Sequence, residues 1–153
     1  MREGRVSQAS DGMERDLDMA GRWARTIEEI NGCPYYQLLG MKVEVMGDGY
    51  ARLVMPVEEK LLQIYGGVHG GATASLADSA VAVALISASA EDEKAYTVEL
   101  KLNYLAPVSE GRLTAEARLF HRGRTIAAGE VDVRNGEGRL IAKGIATYMP
   151  VRG

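Results

Sequence analysis

Residues 61–90 read LLQIYGGVHGGATASLADSAVAVALISASA, and this stretch decides the fold. It carries one formal charge, Asp78, in a chain where a quarter of the residues are charged. Gly66, Gly67, Gly70 and Gly71 open it, and a glycine-free run follows from Ala72 to Ala90. Ala, Leu and Val lie on all sides of that run rather than along one stripe, which predicts a long helix buried over most of its surface.

What surrounds the helix must bury it. Upstream, Met41, Val43 and Val45 alternate with polar residues, Gly47-Asp48-Gly49 breaks the pattern, and Ala51, Leu53, Met55 and Val57 resume it. That is the signal of a β-hairpin, with Pro56 at an edge or end. Downstream, Tyr96 to Tyr104, Leu113 to Leu119, a segment around Ile126 to Val133, and Arg139 to Met149 read as four further strands. Gly111, Gly123 and Asn135-Gly136 punctuate them as turns. In the third of these, Ile126 and Ala128 share one parity and Val131 and Val133 the other, so a bulge is expected near Gly129. The expected class is α+β: an antiparallel sheet wrapped around one long central helix. Residues 1–12 are expected to be disordered, 13–34 to form an N-terminal helix stopped by Asn31-Gly32 and Pro34, and 35–150 to form a single domain.

Composition narrows the function. A formal charge of −3 gives no basic footprint for nucleic acid. One cysteine, Cys33, cannot form an internal disulfide, which fits a reducing compartment such as the cytoplasm. His69 and His121 lie far apart with no Cys/His cluster, so no metal site is expected. The N-terminus lacks the apolar core of a signal peptide, and Asp78 argues against the 72–90 run as a membrane span.

A lone carboxylate in an apolar helix needs a reason, because an unpaired buried charge is costly. One reading is structural: Asp78 pairs with a neighbouring cation or across a subunit interface. The other is chemical. His69-Gly70-Gly71 falls where the helix starts, where the first amides lack internal partners and the dipole is positive. Glycine lets a ligand carbonyl approach closely, so these amides suit a developing oxyanion. Asp78 lies eight residues beyond Gly70, roughly 12 Å along the axis at about 1.5 Å per residue. Both can serve one carbonyl only if Asp78 works with Gly70 of a partner chain, so the chemical reading requires a two-fold dimer with antiparallel central helices.

His-Gly-Gly at 69–71, Asp78 within Ser-Leu-Ala-Asp-Ser-Ala, and Leu-Asn-Tyr-Leu-Ala-Pro at 102–107 together resemble the signature of hotdog-fold acyl-CoA thioesterases. The resemblance covers about residues 38–149. It is closest to the phenylacetate-degradation type, with the 4-hydroxybenzoyl-CoA thioesterases as relatives. It implies that Asp78 is the general base or nucleophile and that the Gly70 amide forms the oxyanion hole. Gln63 would sit near the thioester or the attacking water, Thr97 would position that water, and His69 would orient the loop or the substrate. Gly71, Asn103, Arg122 and Arg124 would contact the substrate, the arginines through CoA phosphates. Gln63 and Thr97 also read as ordinary loop and strand residues, and the two arginines as a basic turn. The resemblance further implies a homodimer with shared sites, assembling into a homotetramer, with an acyl-CoA substrate and no cofactor, nucleic acid or membrane partner.

Two rival readings stand beside it. Hotdog hydratases pair an Asp with a His about five residues later, but here that position is Val83. A non-catalytic acyl-CoA-binding or regulatory domain would not need Asp78, Gln63 and the glycine pair together, and thioester turnover separates it from an enzyme.

Overall fold

The computed structural model describes Met13 and residues 21–153. The expected disordered segment 1–12 and most of the first turns of the expected N-terminal helix lie outside the described residues. From residue 21 to 31 the chain is helical (α1). The side-chain amide of Asn31 then ties the end of α1 to the next strand, accepting from Val43 N–H at 2.8 Å and donating to Val43 C=O at 3.3 Å. Cys33 caps a six-residue helix, α2 (Pro34–Leu39), with proline in its first turn, where its missing N–H costs nothing. Gly40 ends it at φ 71°, the left-handed conformation that glycine favours.

The hairpin follows as β1 (Lys42–Gly47) and β2 (Tyr50–Pro56). Asp48 and Gly49 both have positive φ, 50° and 76°, as a tight two-residue hairpin turn of matching twist requires. A short 3-10 turn, Glu59–Leu61, leads to the central helix α3 (Gly70–Ile86). Four strands complete the chain: β3 (Glu93–Tyr104), β4 (Arg112–Arg122), β5 (Ala127–Asn135) and β6 (Leu140–Arg152). All pair antiparallel in one sheet of order β1-β2-β4-β5-β6-β3, so the connection through α3 carries the chain from β2 to the far edge. The sheet around a long helix is the arrangement expected.

The core lies between the inner sheet face and α3. Leu76, Ala77, Ala80, Val81, Val83, Ala84 and Leu85 are fully buried against Leu53, Met55, Leu113, Val131, Val133 and their neighbours. Small residues on α3 let the helix come close, and the sheet answers with Gly129, where an added Cβ would stand 3.0 Å from Val81. At the C-terminal end of α3, Ser87 is buried; it accepts from Gly49 N–H at 2.9 Å and donates to Ala84 C=O at 2.7 Å, locking the helix to the hairpin turn. Among the described residues no helix is long and apolar enough to cross a membrane.

Three details differ from the sequence reading. Around Gly129, β5 itself is regular: Ala127, Gly129, Val131 and Val133 all face inward, and the extra residue is Phe120 in β4, opposite Gly129. Glycine shows no side chain to count, so Ile126 and Ala128 give the sequence a change of parity that the strand itself does not have. In β3 a bulge at Val98 reverses the facing of the strand, so Tyr96 and Val98 point outward while Thr97, Leu100 and Leu102 share the inner side. Finally, α3 is not covered all round. Ala74, Ser75, Asp78, Ser79, Ala82 and Ile86 form a half-buried stripe at helical spacing.

Candidate active site

The site begins where α3 begins. His69 sits in extended backbone at the N-cap, and its ring Nδ1 accepts from Gly71 N–H at 2.8 Å. Ser, Thr, Asp and Asn usually fill this role; here an imidazole nitrogen does, leaving the proton of a neutral ring on Nε2. The arrangement needs glycine at 71, where a Cβ would lie 3.0 Å from that nitrogen. With Gly71 N–H committed to the cap, the Gly70 N–H is left without a hydrogen-bond partner among the described residues, at the positive end of the helix. The Gly70 carbonyl accepts from Tyr104 O–H at 2.6 Å.

Around that amide lies a cleft of about 430 Å³ lined by Gln63, Gly70, Thr73, Tyr104 and an apolar wall that includes Leu105, Val108 and Ile141. Gln63 is held in a tight turn: its main chain bonds Gly66 and Gly67, and its side-chain Oε1 accepts from Tyr65 N–H. Its Nε2 therefore remains available as a donor on the wall of the cleft. Burial pushes the Tyr104 phenol above its ordinary range, so it stays a neutral donor to Gly70.

Asp78 occupies a second cluster two turns along α3. Thr97 Oγ1 donates to its carboxylate, 3.2 Å from Oδ1 and 3.1 Å from Oδ2. Tyr148 O–H lies 2.5 Å from Oδ1 and 2.7 Å from the Asp78 backbone carbonyl. Beside it stands Tyr36 of α2, close to Ser79 and pushed above its ordinary range chiefly by burial. Burial, and then the neighbouring carboxylate, push the Tyr148 phenol far up, so it is protonated at any working pH.

A third cluster lies at the end of the sheet. Arg122, Arg124 and Arg152 line a cleft of about 210 Å³ with Glu93 and Pro150. Glu93, its side chain 7% exposed, pairs with Arg122 at 2.5 Å and fixes that guanidinium in place.

The sequence-predicted residues thus fall into three groups. Gln63, His69, Gly70 and Gly71 come together; Asp78 and Thr97 come together; Arg122 and Arg124 come together. Asn103 stands apart: it is exposed on the outer face of β3, opposite Lys143, while its neighbour Tyr104 faces the cleft. Tyr104, Tyr148 and Arg152 went unassigned in the sequence reading. Strand parity points to Tyr148, because the inward positions of β6 run Ala142, Gly144, Ala146, Tyr148, one large hydroxylated side chain after three small ones. Arg152 carries no sequence signal, since only the pairing of β6 with β3 brings it to Glu93.

Comparison with known proteins now defines the class. The family model of the thioesterase superfamily matches residues 65–142, from the loop before α3 to the start of β6. The chain is 28% identical to the 1,4-dihydroxy-2-naphthoyl-CoA hydrolase of Escherichia coli, over 77% of this chain and 90% of that one. Among solved structures it is similar to the phenylacetic acid degradation protein PaaI of Thermus thermophilus (30% identity, TM-score 0.71, 76% of this chain and 98% of that one). It is also similar to a thioesterase of Haemophilus influenzae (25% identity, TM-score 0.76, 81% and 87%). The chain belongs to the thioesterase superfamily, with the hotdog fold, and is a thioester hydrolase.

Proposed function

We propose that the protein hydrolyses an aryl- or medium-chain acyl-CoA to the free acid and CoA, in sites shared between two subunits. The observation that carries this is the separation of the Gly70 N–H, unpartnered among the described residues, from the Asp78 carboxylate by two turns of one helix. The edge of the sheet supplies the means of joining them. β3 is a twelve-residue edge strand with no proline, and Tyr96, Val98 and Tyr104 are exposed along it. Such an edge is a template for another strand. Two-fold pairing of β3 with its copy sets two α3 helices side by side and antiparallel, bringing Asp78 of one to Gly70 of the other. Ile64 and Tyr65, 89% and 87% exposed beside Gln63, are further apolar surface for the partner to cover. Ile145 and Met149, exposed on the outer face, are surface for a second interface between dimers.

In this reading the thioester carbonyl accepts from Gly70 N–H, with Gln63 beside it and the acyl group against Leu105, Val108 and Ile141. Asp78 of the partner takes a proton from water as the water oxygen attacks the carbonyl carbon. The tetrahedral intermediate collapses, the C–S bond breaks, and the proton held by Asp78 passes to the departing thiolate. Arg122, Arg124 and Arg152 are suited to CoA phosphates. A CoA-dependent hydrolase with one free cysteine fits the cytoplasm.

The test is CoA release from phenylacetyl-, benzoyl-, hexanoyl- and palmitoyl-CoA, with Asp78→Asn beside the wild type. Loss of the base is expected to lower turnover by about 100- to 10,000-fold. Undiminished turnover in the variant refutes the role of Asp78. Inertness of the wild type toward the whole panel refutes an acyl-CoA substrate of these classes.

A further inference from the structure

Tyr148 is 2% exposed, and a phenol buried that deeply needs a partner for its hydroxyl. Among the described residues, the two acceptors it bonds belong to one residue: Oδ1 and the main-chain oxygen of Asp78. A hydroxyl lying between the side chain and the main chain of one residue restricts the rotation of that side chain. The opposite side of the carboxylate is held by Thr97, and this is no coincidence of packing. Thr97 and Tyr148 are directly paired across β3 and β6, and neighbours across a ladder share a face. The bulge at Val98 turns Thr97 inward at that pair, so two adjacent strands present two hydroxyls to one carboxylate.

We propose that Tyr148 is a positioning residue for the hydrolysis, holding the Asp78 carboxylate in one orientation while its remaining lone pair on Oδ2 meets the attacking water. The proposal rests on reading Asp78 as the base. Loss of the Tyr148 hydroxyl leaves the carboxylate freer to turn. The other groups around it are few: Thr97 from β3 does not titrate, and α2 brings Tyr36, with Cys33 just ahead of it, both acting on the same cluster. Both phenols are held above their ordinary range, chiefly by burial, so both keep their protons.

The experiment is the measurement of kcat and KM for Tyr148→Phe, using whichever thioester of the panel the wild type hydrolyses, with a melting curve on the same preparation. Misplacement of the base is expected to lower kcat by about 10- to 100-fold, with KM changed by less than about twofold. A kcat close to that of the wild type overturns the proposal, and so does a fall in kcat accompanied by a comparable rise in KM, which is what a merely structural phenol would give. Should the phenylalanine variant fail to fold, 3-fluorotyrosine at position 148 keeps the shape and alters the strength of the donor. Its kcat should change while KM does not, and an unmoved kcat overturns the proposal. Asp78→Asn runs in parallel. An inactive Asp78→Asn beside an unaltered Tyr148→Phe overturns only the role of Tyr148, whereas an active Asp78→Asn overturns both readings.

Discussion

Gly70 is the first residue of α3, the one helical position where proline is well tolerated. His69 before it has φ −61° and ψ 135°, the extended backbone that a following proline demands. Gly70→Pro therefore deletes the proposed oxyanion donor while leaving the helix start in place. The ring of Tyr104, 3.3 Å from a Cβ at this position, must give by a few tenths of an ångström. We expect turnover to fall by about 100- to 1,000-fold, with the thermal midpoint nearly unchanged; kinetics and a melting curve on the same preparation check both. Residues of this kind are legible in a sequence because their chemistry is local. Asp78 is one charge in an apolar run, and the glycine pair stands where that run begins. Tyr148 is not legible in this way, because its partner lies seventy residues away.

The elements are held in place by a few polar ties, and the Ser87 hydroxyl is the clearest. Ser87→Ala leaves the buried Gly49 N–H without its acceptor and frees the end of α3 from the hairpin turn. The expected loss is about 1–3 kcal/mol, read as a lower denaturation midpoint in urea, with KM and kcat near wild type because neither residue approaches a site cluster. At this scale the sequence reading was right about element type and order and weakest on facing. Helix, hairpin, long helix and four strands were all legible, since period and turn residues are local signals. The facing of β3 was not. Its alternation from Tyr96 to Tyr104 is unbroken, so nothing in the pattern marks Val98 as the extra residue. Only the ladder with β6 decides it, and the inward turn of Thr97 depends on that register. The same holds at Gly129, where the irregularity predicted for one strand belongs to its neighbour.

For the whole molecule, the proposed sites exist only between chains, and that allows a test by complementation. Asp78→Asn and Gly70→Pro each disable every site of their own homodimer. Refolded together at equal amounts, they should form mixed dimers in which one site has both defects and the other has none. Random pairing then restores about a quarter of wild-type turnover. Activity that stays at the level of the separate variants would count against shared sites, while recovery would show that Asp78 and Gly70 serve one site from different chains.

The strand order has one more consequence, for the path by which the chain folds. β3 forms its ladder with β6 alone, yet residues 105–139, including all of β4 and β5, lie between them in sequence. The hairpin of β1 and β2 and the meander from β4 to β6 close through short turns, whereas β3 must wait for the last strand before it gains any neighbour in the sheet. Long-range closure of this kind is slow. Thr97, on the waiting strand, therefore gains its place opposite Tyr148 only when β6 docks. A folding intermediate with a formed helix and an undocked β3 would already possess the Gly70 amide, while its carboxylate still lacked one of its two hydroxyl donors.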